Sequence, residues 1–307
     1  MTPTLVGFVL VVLSGVWLRQ RRLGADADTA AGVLTAVVLE VTLPALTLDV
    51  LLRRALDPSL LRMLVPSTLA QAVALGTAWA LGRALGWSAP TRGAAIMSAG
   101  FSNTAFIGFP LVRALWPADA SAAQAALLID TWNTTALLWT LGVALATAHG
   151  TTRTRLDWRQ LVLRPTTVAA LAGFALNLLG FTAPDTVASV LERVGACTSP
   201  LVFLTLGLRL DLGAVRDRWR PVALVCGLRL LLAPAVALAV CLALGLRGVP
   251  ATVAVLQSGM ASALVGSLLI ARSGCDAALG TASVMATLLG SVVTLPLWLA
   301  VAGRLLP

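Results

Sequence analysis

The chain has 307 residues and no lysine, so all 22 basic residues are arginine. It has no tyrosine, one histidine and four cysteines, and charged residues make up 11%, against about 25% in a soluble domain. Each shortage excludes something. The single histidine, His149, lies in the polar stretch after the fifth apolar run, so no Ser/His catalytic set can form inside the apolar segments. No two acids lie within four residues of each other inside one apolar run, which removes the clustered carboxylates of a metal-dependent lipid transferase. Cys197, Cys226, Cys241 and Cys275 show neither CxxC nor zinc spacing and read as free packing thiols. There is no GxxxxGK[ST] phosphate loop and no soluble domain to hold ATP, which excludes a primary pump. No cofactor is expected, and the chain reads as something other than an enzyme.

What is present is apolar. Hydrophobic residues are 58% of the chain, and glycine raises the share to roughly 66%, against about 45–50% in soluble domains. Ten apolar runs can be counted: Thr4 to Leu18, Thr29 to Leu52, Leu61 to Leu85, Thr91 to Leu115, Ala120 to Ala148, Thr166 to Phe181, Val187 to Leu208, Val222 to Leu244, Val249 to Ala271 and Ala277 to Ala302. A bilayer span takes about 20 residues. The fold class is therefore an all-α polytopic membrane protein with ten transmembrane helices and little chain left outside the bilayer. The net charge of +9 would suit nucleic acid, but the arginines sit in short loops between apolar runs, which is a topogenic pattern. The expected surroundings are a lipid bilayer and no nucleic acid.

Arginine placement orients the runs. Loops one–two, three–four, five–six, seven–eight and nine–ten hold 14 arginines, and the opposite loops with the C-terminus hold 7. The positive-inside rule puts the richer side in the cytoplasm and both termini outside. The first run has its arginines (Arg19, Arg21, Arg22) after it, which suits an anchored helix and not a cleaved signal peptide. The longest loop, residues 149–164, divides the chain into five runs in 1–148 and five in 165–307. Five is odd, so a repeated five-run unit is inverted in the bilayer. An offset of 156 carries Pro44 onto Pro200 and Asn103 onto Gly259, and brings Pro66 within one residue of Pro221. Inverted repeats with helix breakers in matching places point to a secondary transporter.

Two runs carry breaks. The fourth contains Gly100-Phe101-Ser102-Asn103-Thr104-Ala105-Phe106-Ile107-Gly108-Phe109-Pro110 at mid-span. Ser, Asn and Thr compete for backbone groups and favour caps over helix interiors, and Pro110 frees the Phe106 carbonyl. The ninth contains Gln257-Ser258-Gly259-Met260-Ala261-Ser262-Ala263, again small and polar. Irregular backbone at membrane depth persists only where it faces protein or a water-filled cavity, and a helix N-terminus there suits an anion. Ser102, Asn103, Thr104, Gly108, Pro110, Ser258, Gly259, Met260, Ser262 and Asn133 are the candidate substrate-binding residues. Close packing through small residues is the alternative reading of both stretches.

A charge at the bilayer centre costs about 2.5–3.5 kcal/mol on insertion scales. Glu40, four residues before Pro44, and Asp130, in the fifth run, are therefore candidate proton carriers. Arg229, inside the eighth run, is read either as a substrate contact or as the counter-ion of Asp130. Asp49 is placed near an interface, and the nine tryptophans are read as interfacial anchors.

The stretch Met97 to Trp116, MSAGFSNTAFIGFPLVRALW, resembles the fourth-helix motif of the auxin efflux carrier family of membrane transporters, with Asn in the break followed by Gly-x-Pro. Val255 to Trp298, ending Thr294-Leu295-Pro296-Leu297-Trp298, resembles the ninth and tenth helices of that family, and Thr42-Leu43-Pro44-Ala45-Leu46 resembles its second. The family has a proline in the ninth-helix break where this chain has Ala261. The resemblance implies a ten-helix inverted-repeat fold similar to bile acid sodium symporters. Helices one, two, six and seven would form a scaffold, and the others a mobile domain that carries substrate by an elevator-like step. It further implies a proton- or potential-driven permease in the plasma membrane, an auxin-like acid or dicarboxylate as the small organic anion carried, and a homodimer. The alternative is a sodium-coupled organic anion symporter of the same fold, for which Ser102, Thr104, Ser258 and Ser262 would supply oxygens. A sensor would need a fused signalling domain, which this sequence does not contain.

Overall fold

A computed structural model of the chain describes residues 2–21, 26–53, 55, 57–152, 163–208, 216 and 218–307. Most of the expected connecting loop, residues 153–162, lies outside the described residues, as do Arg22, Arg54 and Arg209. The described residues are helical and hold no strand; two of them, Ser102 and Ser262, form an isolated antiparallel bridge. Five helical stretches are long and apolar enough to cross a bilayer: Thr29–Arg53, Pro58–Ala84, Asp185–Thr205, Trp219–Ala243 and Ala277–Leu305. Shorter apolar helices include Leu10–Gln20, Thr104–Leu115 and Pro165–Leu178. This is a polytopic membrane protein. All four cysteines are free thiols, as their spacing suggests.

The chain divides into two compact units. The first holds the described residues of 1–58, 110–127 and 157–210, and the second those of 59–109, 128–156 and 211–307. In the first unit, Thr2–Gln20 packs along Thr198–Leu208. Glycine makes the approach close: a Cβ added at Gly15 would lie 2.8 Å from the Gly207 Cα. Small residues at such a seam let two backbones meet where apolar side chains gain nothing over lipid. Arg19 donates to the Leu208 carbonyl at 2.6 Å, supplying one of the last free carbonyls of that helix. Asp49, expected near an interface, is 1% exposed and accepts from Arg53 at 2.7 Å and Arg113 at 3.2 Å. A buried carboxylate is tolerated when its lone pairs are filled by such donors.

The second unit is built from Leu64–Ala84, Ala89–Gly100, Gly248–Ser258, Leu264–Arg272 and Ala277–Leu305, with Trp219–Cys226 and Ala233–Ala243 packed beside them. Its centre is made of small residues. Residues 93–104 and 251–263 are buried without interruption, their many Ala, Gly and Ser residues letting larger ones such as Met97, Phe101 and Met260 be covered on every side.

The apolar helices widen into π-helical turns at Val38–Thr42, Thr104–Gly108, Thr131–Gly142 and Gly227–Leu232. Three of these precede a proline: Pro44, Pro110 and Pro234. A proline lacks an N–H and its ring pushes on the carbonyl four residues back, and a wider turn relieves that clash. The freed carbonyl needs another donor, and at Pro234 it has one: the Trp298 indole donates to the Leu230 carbonyl at 2.8 Å. Thr131–Gly142 widens with no proline to explain it. At helix ends, Arg21 stacks on Trp17 (4.9 Å), Arg83 on Trp79 (5.8 Å) and Arg220 on Trp219 (5.3 Å). All three pairs lie beside the arginine-richer loops, where amphipathic rings and cations belong at a membrane–water boundary.

Candidate functional site: two crossed helix breaks

The helix Ala89–Gly100 starts under a cap. Ser88 Oγ accepts from the Thr91 N–H, and Pro90 fills an early position where no amide partner is needed. The helix stops at Gly100. Phe101 turns extended (φ −108°, ψ 120°), and Asn103 caps the next turn, its Oδ1 accepting from the Phe106 N–H at 3.2 Å. This is the capping role that the Ser-Asn-Thr triplet predicts. The chain then runs through Thr104–Gly108 and Pro110 into Phe109–Leu115.

The ninth run breaks as well, without the proline of the family motif. Gly248–Ser258 ends, residues 259–263 run outside any helix, and Leu264–Arg272 begins. Pairing between the two breaks takes the place of a proline. The Asn103 N–H donates to the Ala261 carbonyl at 2.8 Å, and the Ala263 N–H donates to the Phe101 carbonyl at 2.9 Å. Ser262 donates its N–H to Thr287 Oγ1 at 2.9 Å and its hydroxyl to the Ser98 carbonyl at 2.7 Å. Gly259 lies against Pro234, whose Cγ would be 3.2 Å from an added Cβ. Backbone groups that leave a helix inside the membrane must find partners within the protein. Here each break supplies partners to the other, entirely within the second unit.

Arg229 completes the arrangement. It is 1% exposed and donates through Nη1 to the Ala99 and Gly100 carbonyls at 3.0 and 3.1 Å, and through Nη2 to the Ser258 carbonyl. Of the two roles open to it, substrate contact or counter-ion of Asp130, the second has no ion pair behind it among the described residues. The last carbonyls of the two interrupted helices compete for the guanidinium and take it, because each end lacks helical donors and carries partial negative charge. Asp130 instead accepts from Thr104 Oγ1 at 2.7 Å.

Several buried polar atoms at the crossing make no hydrogen bond among the described residues: Asn103 Nδ2, both ends of the Gln257 carboxamide, and Ser258 Oγ. Asn133 Oδ1, in the widened turn after Asp130, is another. Gln257 is fully buried and packs onto Gly108, where an added Cβ would overlap its carboxamide. Each such group costs about 1–3 kcal/mol when left unpaired. A cluster of them at a helix break is a place where a polar ligand is stabilising.

The structure thus brings Ser102, Asn103, Thr104, Gly108, Ser258, Gly259, Met260 and Ser262 to one crossing, with Asp130 tied to it through Thr104. It does not treat Pro110 or Glu40 in the same way. Pro110 is buried in the first unit, where its carbonyl accepts from Ser199 Oγ at 3.3 Å. Glu40 is exposed on the first unit and makes no hydrogen bond among the described residues. Gln257 and Thr287 belong to the crossing; the sequence reading placed Gln257 in the ninth-run break without counting it among the binding residues, and it missed Thr287. A glutamine in the middle of an apolar run was the signal for Gln257. Thr287, in the tenth run, looks like any other small packing residue.

A buried crossing of two interrupted helices in a polytopic chain is a feature of membrane transport proteins. Residues 151–299 match the model of a family described as membrane transport protein. An uncharacterized transporter of Methanothermobacter thermautotrophicus is 30% identical over 302 residues, which are 97% of this chain and 97% of that one. The chain belongs to this family, the auxin efflux carriers.

Proposed function

We propose that the chain is a secondary active permease that moves a small organic anion, such as an auxin-like acid or a dicarboxylate, across the plasma membrane. In this reading ten transmembrane helices form two inverted repeats, 1–148 and 165–307, joined by a cytoplasmic loop at 149–164, with both termini outside. Substrate sits at the crossed breaks and moves by an elevator-type step driven by protons or membrane potential, and the protein works as a homodimer. It is a carrier and not an enzyme. The observation that supports this most is the group of unpaired buried donors at the crossing, Asn103 Nδ2 and Gln257 Nε2 among them. Donors without protein partners, next to helix N-termini at Thr104 and Leu264, suit a carboxylate. Asp130 and Glu40 are the candidate proton carriers.

Purified protein in liposomes, screened with radiolabelled mono- and dicarboxylates with and without a pH gradient, tests the proposal. At least one anion should accumulate faster with the gradient. Flux that requires sodium on the uptake side would favour the sodium-coupled alternative, and folded protein that moves no carboxylate would remove the anion reading.

A further inference from the structure

Arg229 is a cation sealed inside the second unit, yet among the described residues it meets no carboxylate. Its three acceptors, the carbonyls of Ala99, Gly100 and Ser258, are the closing residues of Ala89–Gly100 and Gly248–Ser258. A helix end leaves its last four carbonyls without helical donors and carries about half an elementary negative charge. Two such ends converge here, so together they present about one negative charge in a site closed to water. In carriers with interrupted helices, half-helix C-termini and unwound carbonyls are where a coupling cation is held.

We propose that the Arg229 guanidinium is a tethered cation occupying the position where a sodium-coupled carrier would hold its ion, so that the crossing is closed to sodium and works without it. The inference takes from the carrier reading only its meaning for coupling. The geometry supports it at three points. A guanidinium is flat and forked, so it can satisfy carbonyls from two helices at once, whereas an ammonium is a single point of charge. The eighth run widens at Gly227–Leu232 ahead of Pro234, a local distortion that often marks functional positions, and Arg229 stands within it. Asp130, the carboxylate that the sequence offered as its counter-ion, accepts from Thr104. The charge at the crossing is therefore balanced by the chain itself.

The test uses the full-length protein in detergent and needs no substrate. Its melting temperature is measured in sodium chloride and in choline chloride at equal ionic strength, and then for Arg229→Lys and Arg229→Met. The same melting temperature is expected in both salts. Arg229→Lys, which keeps the charge, should stay well above Arg229→Met, which keeps the bulk alone. A saturable rise of several degrees with sodium in the parent protein would overturn the proposal, because an ion that binds the folded state alone must stabilise it. Lysine no better than methionine, whether both variants fold or both fail, would overturn it too, since the charge would then be irrelevant. A failed flux screen would leave this melting result standing, and a failed melting result would leave measured flux standing.

Discussion

Replacing Thr287 with valine isolates one hydrogen bond at the crossing. Thr287 is fully buried, and its Oγ1 accepts from the Ser262 N–H at 2.9 Å while donating to the Ser283 carbonyl at 2.6 Å. Valine keeps the branched shape and removes the hydroxyl. The Ser283 carbonyl lies in the helical ladder of Ala277–Leu305 and keeps its place there. Ser262 has no such recourse, because residues 259–263 belong to no helix and its N–H is buried. One orphaned buried donor costs about 1–3 kcal/mol, a change of about 5- to 150-fold in the folded-to-unfolded ratio. Reversible unfolding of purified protein in mixed micelles, followed by tryptophan fluorescence, measures it. Thr140→Val is the control. Thr140 is exposed and bonds only its own helix through the Ala136 carbonyl, so its loss should stay within about 0.5 kcal/mol. If Thr287→Val matched that control, the Ser262 N–H would have another partner, and the anchoring of the second break by Thr287 would be wrong.

Three further outcomes are expected. Gly108→Ala forces a Cβ into the buried Gln257 carboxamide and should destabilise by about 1–3 kcal/mol; Gln257→Ala in the same chain should recover most of the loss, which a double-mutant cycle reads directly. Arg113→Met removes one of the two arginines on buried Asp49 and should cost on the order of 1–3 kcal/mol in the same unfolding assay, with much of that regained on adding Asp49→Asn. Of the two candidate proton carriers, Asp130→Asn should abolish the response of flux to a pH gradient, while Glu40→Gln, whose carboxyl is exposed and unbonded, should retain it; the reverse pattern would move the role to Glu40.

The first break was legible in the sequence because its chemistry is local. Ser102-Asn103-Thr104 resists helix, Asn103 caps the turn that begins at Thr104, and Pro110 marks the distortion, all within a turn or two. The second break was legible as a small polar stretch, but its missing proline hid how it is held. That answer lies 158 residues away, in the pairing of Asn103 with Ala261, and no local rule reveals it. Arg229 shows the same limit. Rules about buried charges offer a carboxylate partner such as Asp130, or a bound anion. Two converging helix ends can satisfy a guanidinium equally well, but only folding brings Gly100 and Ser258 together. The exposure of Glu40 was hidden from the sequence for a different reason. A position inside an apolar run gives depth in the bilayer and says nothing of which helix face is covered, and the structure leaves that face open.

Whether the crossing is a substrate site for a carboxylate is decided by comparing the parent protein with Asn103→Ala in matched proteoliposomes. Both should insert and be recovered equally. Gradient-stimulated carboxylate flux is expected in the parent and should be lost in Asn103→Ala, whose unpaired Nδ2 is removed. Equal flux through both proteins would contradict a carboxylate site at the crossed breaks.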